Sequence, residues 1–177
     1  ICVQDELQHA KSYMNIQKIR YKNAFTVVFD VDPVVYTFCS VKLVLQPLLE
    51  NAISYGVSGM EDFGEIQVVA RKQEEKIILS VVDNGFGMSE EEAELVLTDS
   101  DRIHKHGSGV GLINVNNRIQ MLFGKEYGLV IESEPDEGTT VSICMPAVPY
   151  TDENRKILEK GFMFGADEIN NREVKEM

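Results

Sequence analysis

Asp83 ends an apolar run and is followed at once by two glycines, in Val81-Val82-Asp83-Asn84-Gly85-Phe86-Gly87-Met88. A carboxylate emerging from a water-poor wall accepts hydrogen bonds and calls for a donor. Gly85 and Gly87 lack β-carbons, so they can take positive φ and let a flat ring lie against the backbone. An acid for an exocyclic amino group, beside glycines that admit a ring, makes a seat for adenine. The same residues suit a capped turn in which Asp83 only bonds loop amides, and on this stretch alone the two explanations stand level.

A second glycine cluster tips that balance. Gly107, Gly109 and Gly111 alternate in His106-Gly107-Ser108-Gly109-Val110-Gly111-Leu112, a loop that runs into a helix. Free N–H groups and the positive end of the dipole at such a helix start bind anions, which predicts a phosphate cradle. It is not a Walker loop, because no Lys-Ser/Thr follows at the required spacing. The dinucleotide fingerprint also fails, because no strand precedes the glycines. A third element is Leu43-Val44-Leu45-Gln46-Pro47-Leu48-Leu49-Glu50-Asn51-Ala52-Ile53-Ser54-Tyr55-Gly56. Asn51 can offer its amide oxygen to a hard cation, and magnesium needs few protein oxygens when phosphates and waters complete its shell.

The elements that must hold these residues follow from periodicity. Asp5 to Arg20 carries Leu7, Tyr13, Met14, Ile16 and Ile19 with polar residues between, an amphipathic helix. Ala24 to Pro33 predicts a strand stopped at Asp32-Pro33. From Ser40 to Tyr55, Val41, Leu45, Leu48, Leu49 and Ala52 fall on one helical face, with Asn51 and Tyr55 to one side and Glu50 to the other; Pro47 must kink this helix or mark its first turn. Two strands joined at Gln73-Glu74-Glu75 come next, then an acidic helix with Ser89 as N-cap, a helix closed by Gly124, and a second hairpin turning at Pro135 to Gly138. Asp152 to Lys160 suits one further short helix. The order predicts an α/β (α+β) two-layer sandwich, a mixed sheet with helices on one face.

Composition narrows the function classes. The chain has 177 residues and a formal net charge of -12, which argues against a nucleic-acid surface. Arg102, His104, Lys105 and His106 form a local basic exception just before the second glycine cluster. Cys2, Cys39 and Cys144 are far apart with no Cys-x-x-Cys spacing, as expected of reduced thiols in a cytosolic compartment. No apolar run approaches a membrane span, and a start at Ile1 without methionine predicts a piece of a longer protein.

Together these stretches resemble a known family. "QPLLENA" is similar to the asparagine box, "DNGFGM" to the first glycine box, "GSGVGL" to the second and "EGTT" to the last, in the Bergerat-type ATP-binding fold of histidine kinases, gyrase, the heat-shock chaperone and mismatch-repair ATPases. Within it, "LQPLLENA", the lead-in "DELQHAKSYMNIQKIRY" and "GLINVNNRIQMLFG" resemble the LytS/YesM type of bacterial sensor histidine kinase.

The resemblance implies a division into residues 1–22 as the end of a preceding dimerisation and phosphoacceptor segment, 23–147 as the ATP-binding catalytic domain and 148–177 as a polar tail. It implies ATP and Mg2+ as ligands, with Asp83 on the adenine amino group, Thr139 reaching the ring through water and Asn51 holding the metal. Gly85, Gly87 and Met88 would line the nucleotide, Tyr55 would reach ribose or phosphate, and Gly107, Gly109, Val110, Gly111 and Leu112 would wrap the phosphates. Ser89 to His106 becomes a lid whose basic end, at Arg102, Lys105 and His106, lies near the triphosphate.

Two departures matter. Hydrolysing relatives carry a glutamate base four residues before the metal asparagine, where this chain has Pro47, so hydrolysis is disfavoured; Glu50 is an insecure substitute. Ser54 and Tyr55 stand where a basic residue and a histidine are more usual. The implied reaction is transfer of the γ-phosphate to a histidine on upstream helices outside this chain, then to an aspartate of a response regulator. His9 lacks the neighbours of that acceptor. The implied setting is a cytoplasmic domain of a dimeric membrane protein. The competing expectations are an anti-sigma-factor-like serine kinase and a nucleotide-binding interaction module without phosphotransfer.

Overall fold

A computed structural model of the chain describes residues 1–60, 63–98 and 110–160. Helix α1 (Val3–Arg20) leads to strand β1 (Phe25–Val31) and a 3-10 turn (Pro33–Thr37), then to α2 (Leu45–Asn51), which continues as a π-helical turn (Ala52–Val57). Strands β2 (Gly64–Gln73) and β3 (Lys76–Asp83), helices α3 (Glu90–Val96) and α4 (Val110–Phe123), strands β4 (Gly128–Glu134) and β5 (Gly138–Pro146) and helix α5 (Asp152–Glu159) complete the order.

The five strands form one mixed sheet in the order β1-β2-β3-β5-β4. Both predicted hairpins are present, β2 with β3 and β4 with β5, and β3 pairs antiparallel with β5. Strand β1 joins β2 in parallel, with Phe25 opposite Gly64 and Val31 opposite Ala70, which the intervening helical segment makes possible. Alternation sends Ile66, Val68 and Ala70, then Ile77, Leu79 and Val81, then Val141, Ile143 and Met145 to one buried face. On the other face Val69, Ile78, Ser80, Val82, Ser142 and Cys144 are only half-buried. Among the described residues the helices cover the first face alone, so the two-layer sandwich read from the sequence is the fold.

Leu45, Leu48, Leu49 and Ile53 are at most 3% exposed against that face, together with Leu112, Val115, Ile119 and Phe123 of α4. Each large side chain so buried contributes roughly 1.5–3 kcal/mol. Helix α1 enters the same core through Val3, Leu7, Ala10 and Met14, one stripe of a helix. Ile16 and Ile19, expected on that stripe, are exposed. Helix α2 is shorter than its periodicity predicts: it begins at Leu45, and Pro47 falls in its first turn, where a missing N–H costs nothing. Leu43 just before it takes φ 59°. Its N–H and those of Val44 and Leu45 donate to the Glu6 carboxylate at 2.9, 2.8 and 3.0 Å, so a buried acid of α1 caps α2.

Candidate functional site

Asp83 is the last residue of the central strand, paired with Ile66 on one side and Thr139 on the other. Alternation from Ile77 through Leu79 and Val81 puts its side chain on the helix-covered face, and it is 5% exposed. Oδ1 accepts the Gly85 N–H at 2.9 Å, and the Thr139 backbone N–H also donates to the carboxylate. Burial pushes the Asp83 carboxyl above its usual range, and these two donors only partly offset that. Among the described residues no cation pairs with it.

The glycines around Asp83 bring backbone segments together. A β-carbon at Gly85 would fall 2.0 Å from the Gly56 carbonyl oxygen, and one at Gly87, where φ is +68°, would fall 1.9 Å from the Glu134 oxygen. Main chain fills the space on the side where a β-carbon at Gly85 or Gly87 would lie. Gly56 itself abuts the carboxylate: its β-carbon would lie 2.7 Å from Cγ of Asp83. The end of β3 thus runs between the π-helical turn and the β4–β5 turn. Phe86 N–H donates to the Gly56 carbonyl at 3.2 Å on one side, and Asp136 N–H to the Phe86 carbonyl at 2.6 Å on the other.

Ser133 of β4 completes this junction. Its hydroxyl accepts the Met88 N–H at 2.8 Å, donates to the Gly138 carbonyl at 2.9 Å and lies 2.8 Å from the Thr139 hydroxyl. Thr139, 6% exposed, is thereby held with its N–H toward Asp83 and its hydroxyl toward Ser133. Asn84 locks the other edge, its Oδ1 accepting the Glu65 N–H at 2.7 Å. Neither Ser133 nor Gly56 stands out in the sequence, since each acts through a segment far from it along the chain.

Asn51, half-buried, ends α2, and five residues on the π-helical turn delivers Gly56 to Asp83. Its side chain has no hydrogen-bonding partner among the described residues, and these hold no cluster of three or more His, Cys, Asp or Glu able to bind a metal. Glu50 is exposed and accepts from Gln46 Nε2 at 3.1 Å, one turn back on the outer side. Tyr55 is 47% exposed on the π-helical turn.

Gly111 lies within α4 rather than in a loop, and its β-carbon would come 3.1 Å from Cβ of Pro47, so it sets how closely α4 approaches α2. Leu112 is a core residue, 2% exposed, and can face a ligand only through its N–H. The N–H groups of the first turn of α4, from Val110 onward, have no intrahelical acceptor. Arg102, Lys105, His106, Gly107 and Gly109 lie outside the described residues. Of the proposed lid, α3 is described: the Ser89 hydroxyl accepts the Glu92 N–H at 3.2 Å, the N-cap expected of it.

The sequence profile of the family described as histidine kinase-, DNA gyrase B- and HSP90-like ATPases matches residues 40–149, a stretch that holds Asn51, Gly56, Asp83, Gly111 and Thr139. The chain belongs to this family. Within it the chain is 34% identical over 146 residues to the sensor histidine kinase YesM of Bacillus subtilis and 35% identical over 147 residues to the sensor protein LytS of Staphylococcus saprophyticus, in each case over 82% of the chain. It spans 24% of the length of either relative. The catalytic domain of histidine kinase ThkA superposes with a TM-score of 0.63 at 16% identity, over 84% of this chain and 95% of that domain. This ATPase-family domain therefore has the Bergerat-type ATP-binding fold that its four boxes resemble.

Proposed function

We propose that this domain is the ATP-binding catalytic part of a two-component sensor histidine kinase, passing the γ-phosphate of ATP to a histidine on upstream helices for relay to a response-regulator aspartate. The observation that carries it is the Asp83 carboxylate, buried with no cation paired to it among the described residues and held in place by Gly56, Gly85 and Thr139. Such a group is pre-aimed to accept from the amino group of adenine, at little ordering cost on binding.

The remaining residues fit the phosphate end. The first turn of α4 presents N–H groups to anionic oxygens. Asn51 offers one amide oxygen uncommitted among the described residues, which also place no acidic cluster around it, and this suits magnesium that takes its other ligands from phosphates and water. Magnesium bound there supplies charge neutralisation at the β- and γ-phosphates. In the transfer, an imidazole nitrogen of the acceptor histidine forms a bond to the γ-phosphorus as the bond to the β,γ-bridging oxygen breaks, and ADP departs with that electron pair. This chain's share is positioning: Asp83 fixes the base, and the α4 amides hold the phosphates in line. Pro47 carries no group to activate water, and Glu50 is turned outward to Gln46, which favours a protein nucleophile over hydrolysis.

On this reading the domain works in the cytoplasm as part of a membrane-bound dimer, though the described residues contain no helix long and apolar enough to cross a membrane. The test is to join the chain to an upstream helical segment bearing an acceptor histidine and supply ATP labelled in the γ-phosphate. Acid-labile label on that histidine is expected. Binding of ATP without any label would favour the interaction module instead.

A further inference from the structure

Cys2 and Cys39, remote in sequence, face each other across an isolated antiparallel β-bridge. The flanking bonds run from Val3 N–H to the Phe38 carbonyl at 2.9 Å and from Ser40 N–H to the Ile1 carbonyl at 2.7 Å. Because these bonds belong to the neighbours and not to the cysteines, the two form a non-hydrogen-bonded pair. In such pairs the Cα atoms lie about 4.5 Å apart and the side chains leave on the same side of the ladder. That separation is within the roughly 4.4–6.8 Å that a disulfide spans. Both thiols are free.

The two sulfurs differ in access. Cys2 is half-buried, whereas Cys39 is 2% exposed and its thiol donates to the Pro149 carbonyl at 3.5 Å. Burial pushes the Cys39 thiol up to about 11; the N-terminal ammonium acts against the rise and the neighbouring Cys2 adds to it. Cys39 is therefore shielded from reagents in solution and reaches only a sulfur placed directly opposite it. Cys144, on β5 opposite Ile78, belongs to the other face of the sheet.

We propose that Cys2 and Cys39 are a redox-active thiol pair that low-molecular-weight disulfides close to an intramolecular bond, fastening the start of α1 to the segment after the 3-10 turn. In the first step the Cys2 thiolate attacks one sulfur of the small disulfide, whose S–S bond breaks and releases one small thiol. Cys39 then gives up its proton and attacks the Cys2 sulfur of the mixed disulfide, and the second small thiol leaves. Two protein thiols are oxidised by two electrons while one disulfide is reduced to two thiols. The bond holds in place the helix whose Glu6 caps α2. It draws on nothing in the kinase proposal.

The experiment is to incubate the folded chain with oxidised glutathione, block the remaining thiols by alkylation and map them by mass spectrometry. With the chain unfolded in denaturant before alkylation, so that every thiol can be counted, the free-thiol count should fall from three to one, leaving Cys144, with the Cys2 and Cys39 peptides joined. Cys39→Ser should stop at a glutathione adduct on Cys2, and Cys2→Ser should leave Cys39 unreacted. If Cys39→Ser fails to fold, wild type and Cys2→Ser carry the test. A lasting glutathione adduct on Cys2 in the wild type, a cross-link that includes Cys144, or no loss of thiol would overturn the proposal.

Discussion

The carboxylate of Asp83 stands where a side chain on Gly56 would have to be: a β-carbon there would fall 2.7 Å from both Cγ and Oδ1. Gly56 takes an ordinary backbone conformation in its π-helical turn, so alanine would be excluded by this contact and not by φ. Gly56→Ala must push Asp83 aside or open the turn, at a cost of about 1–3 kcal/mol in stability. ATP affinity should fall roughly tenfold or more, about 1.4 kcal/mol per factor of ten. Calorimetry alongside circular dichroism would check this; native-like ATP affinity in a folded variant would mean that the Asp83 position does not govern binding.

Glu6 makes a second prediction at a distance from the nucleotide. It is 1% exposed and accepts three backbone N–H groups at the start of α2. Glu6→Ala leaves those donors without acceptors and should cost about 2–4 kcal/mol in urea unfolding. Glu6→Gln, which keeps an acceptor oxygen, should recover part of the loss. Unchanged unfolding midpoints would show that water caps α2 equally well.

The raised pKa of Asp83 gives a pH dependence whose sign is fixed. Between the ordinary carboxylate value and the raised one, the folded chain holds a proton that the unfolded chain has released. The stability from the protonated form is complete below the ordinary value and is lost as pH rises through the folded one. Adenine-nucleotide affinity should move the opposite way, strengthening as the carboxylate ionises, because the charged form is the better acceptor. Both trends should vanish in Asp83→Asn, as followed by thermal unfolding and calorimetry across acidic pH.

Asn51→Ala separates metal from base recognition. Its effect should be confined to titrations containing magnesium, a loss of roughly tenfold in ATP affinity, with magnesium-free binding unchanged. Equal losses with and without the ion would remove Asn51 from the metal role.

Much of this domain was legible in the sequence because its signals are local. The apolar run before Asp83 marked a strand ending in an acid at a water-poor wall, Ser89 announced α3, and Gly124, at φ +106°, closed α4 as expected. What escaped the sequence depends on partners far along the chain. Nothing near Glu6 shows that it caps a helix starting at Leu45, and nothing near Gly56 shows that it touches Asp83. The glycines of the Asp83 loop were visible, but their neighbours were not: Gly85 and Gly87 are small because backbone at Gly56 and Glu134 lies against them. Ile16 and Ile19 continue the periodicity of α1 but stay exposed, a limit that periodicity cannot mark.

The most direct test is calorimetric titration of the chain with ATP, ADP and GTP, with and without magnesium, for the wild type and Asp83→Asn. Selective binding of the adenine nucleotides, dependent on magnesium and lost in Asp83→Asn, is the predicted result. Equal affinity for ATP and GTP, or ATP binding that survives Asp83→Asn unchanged, would contradict the placing of adenine at the end of β3.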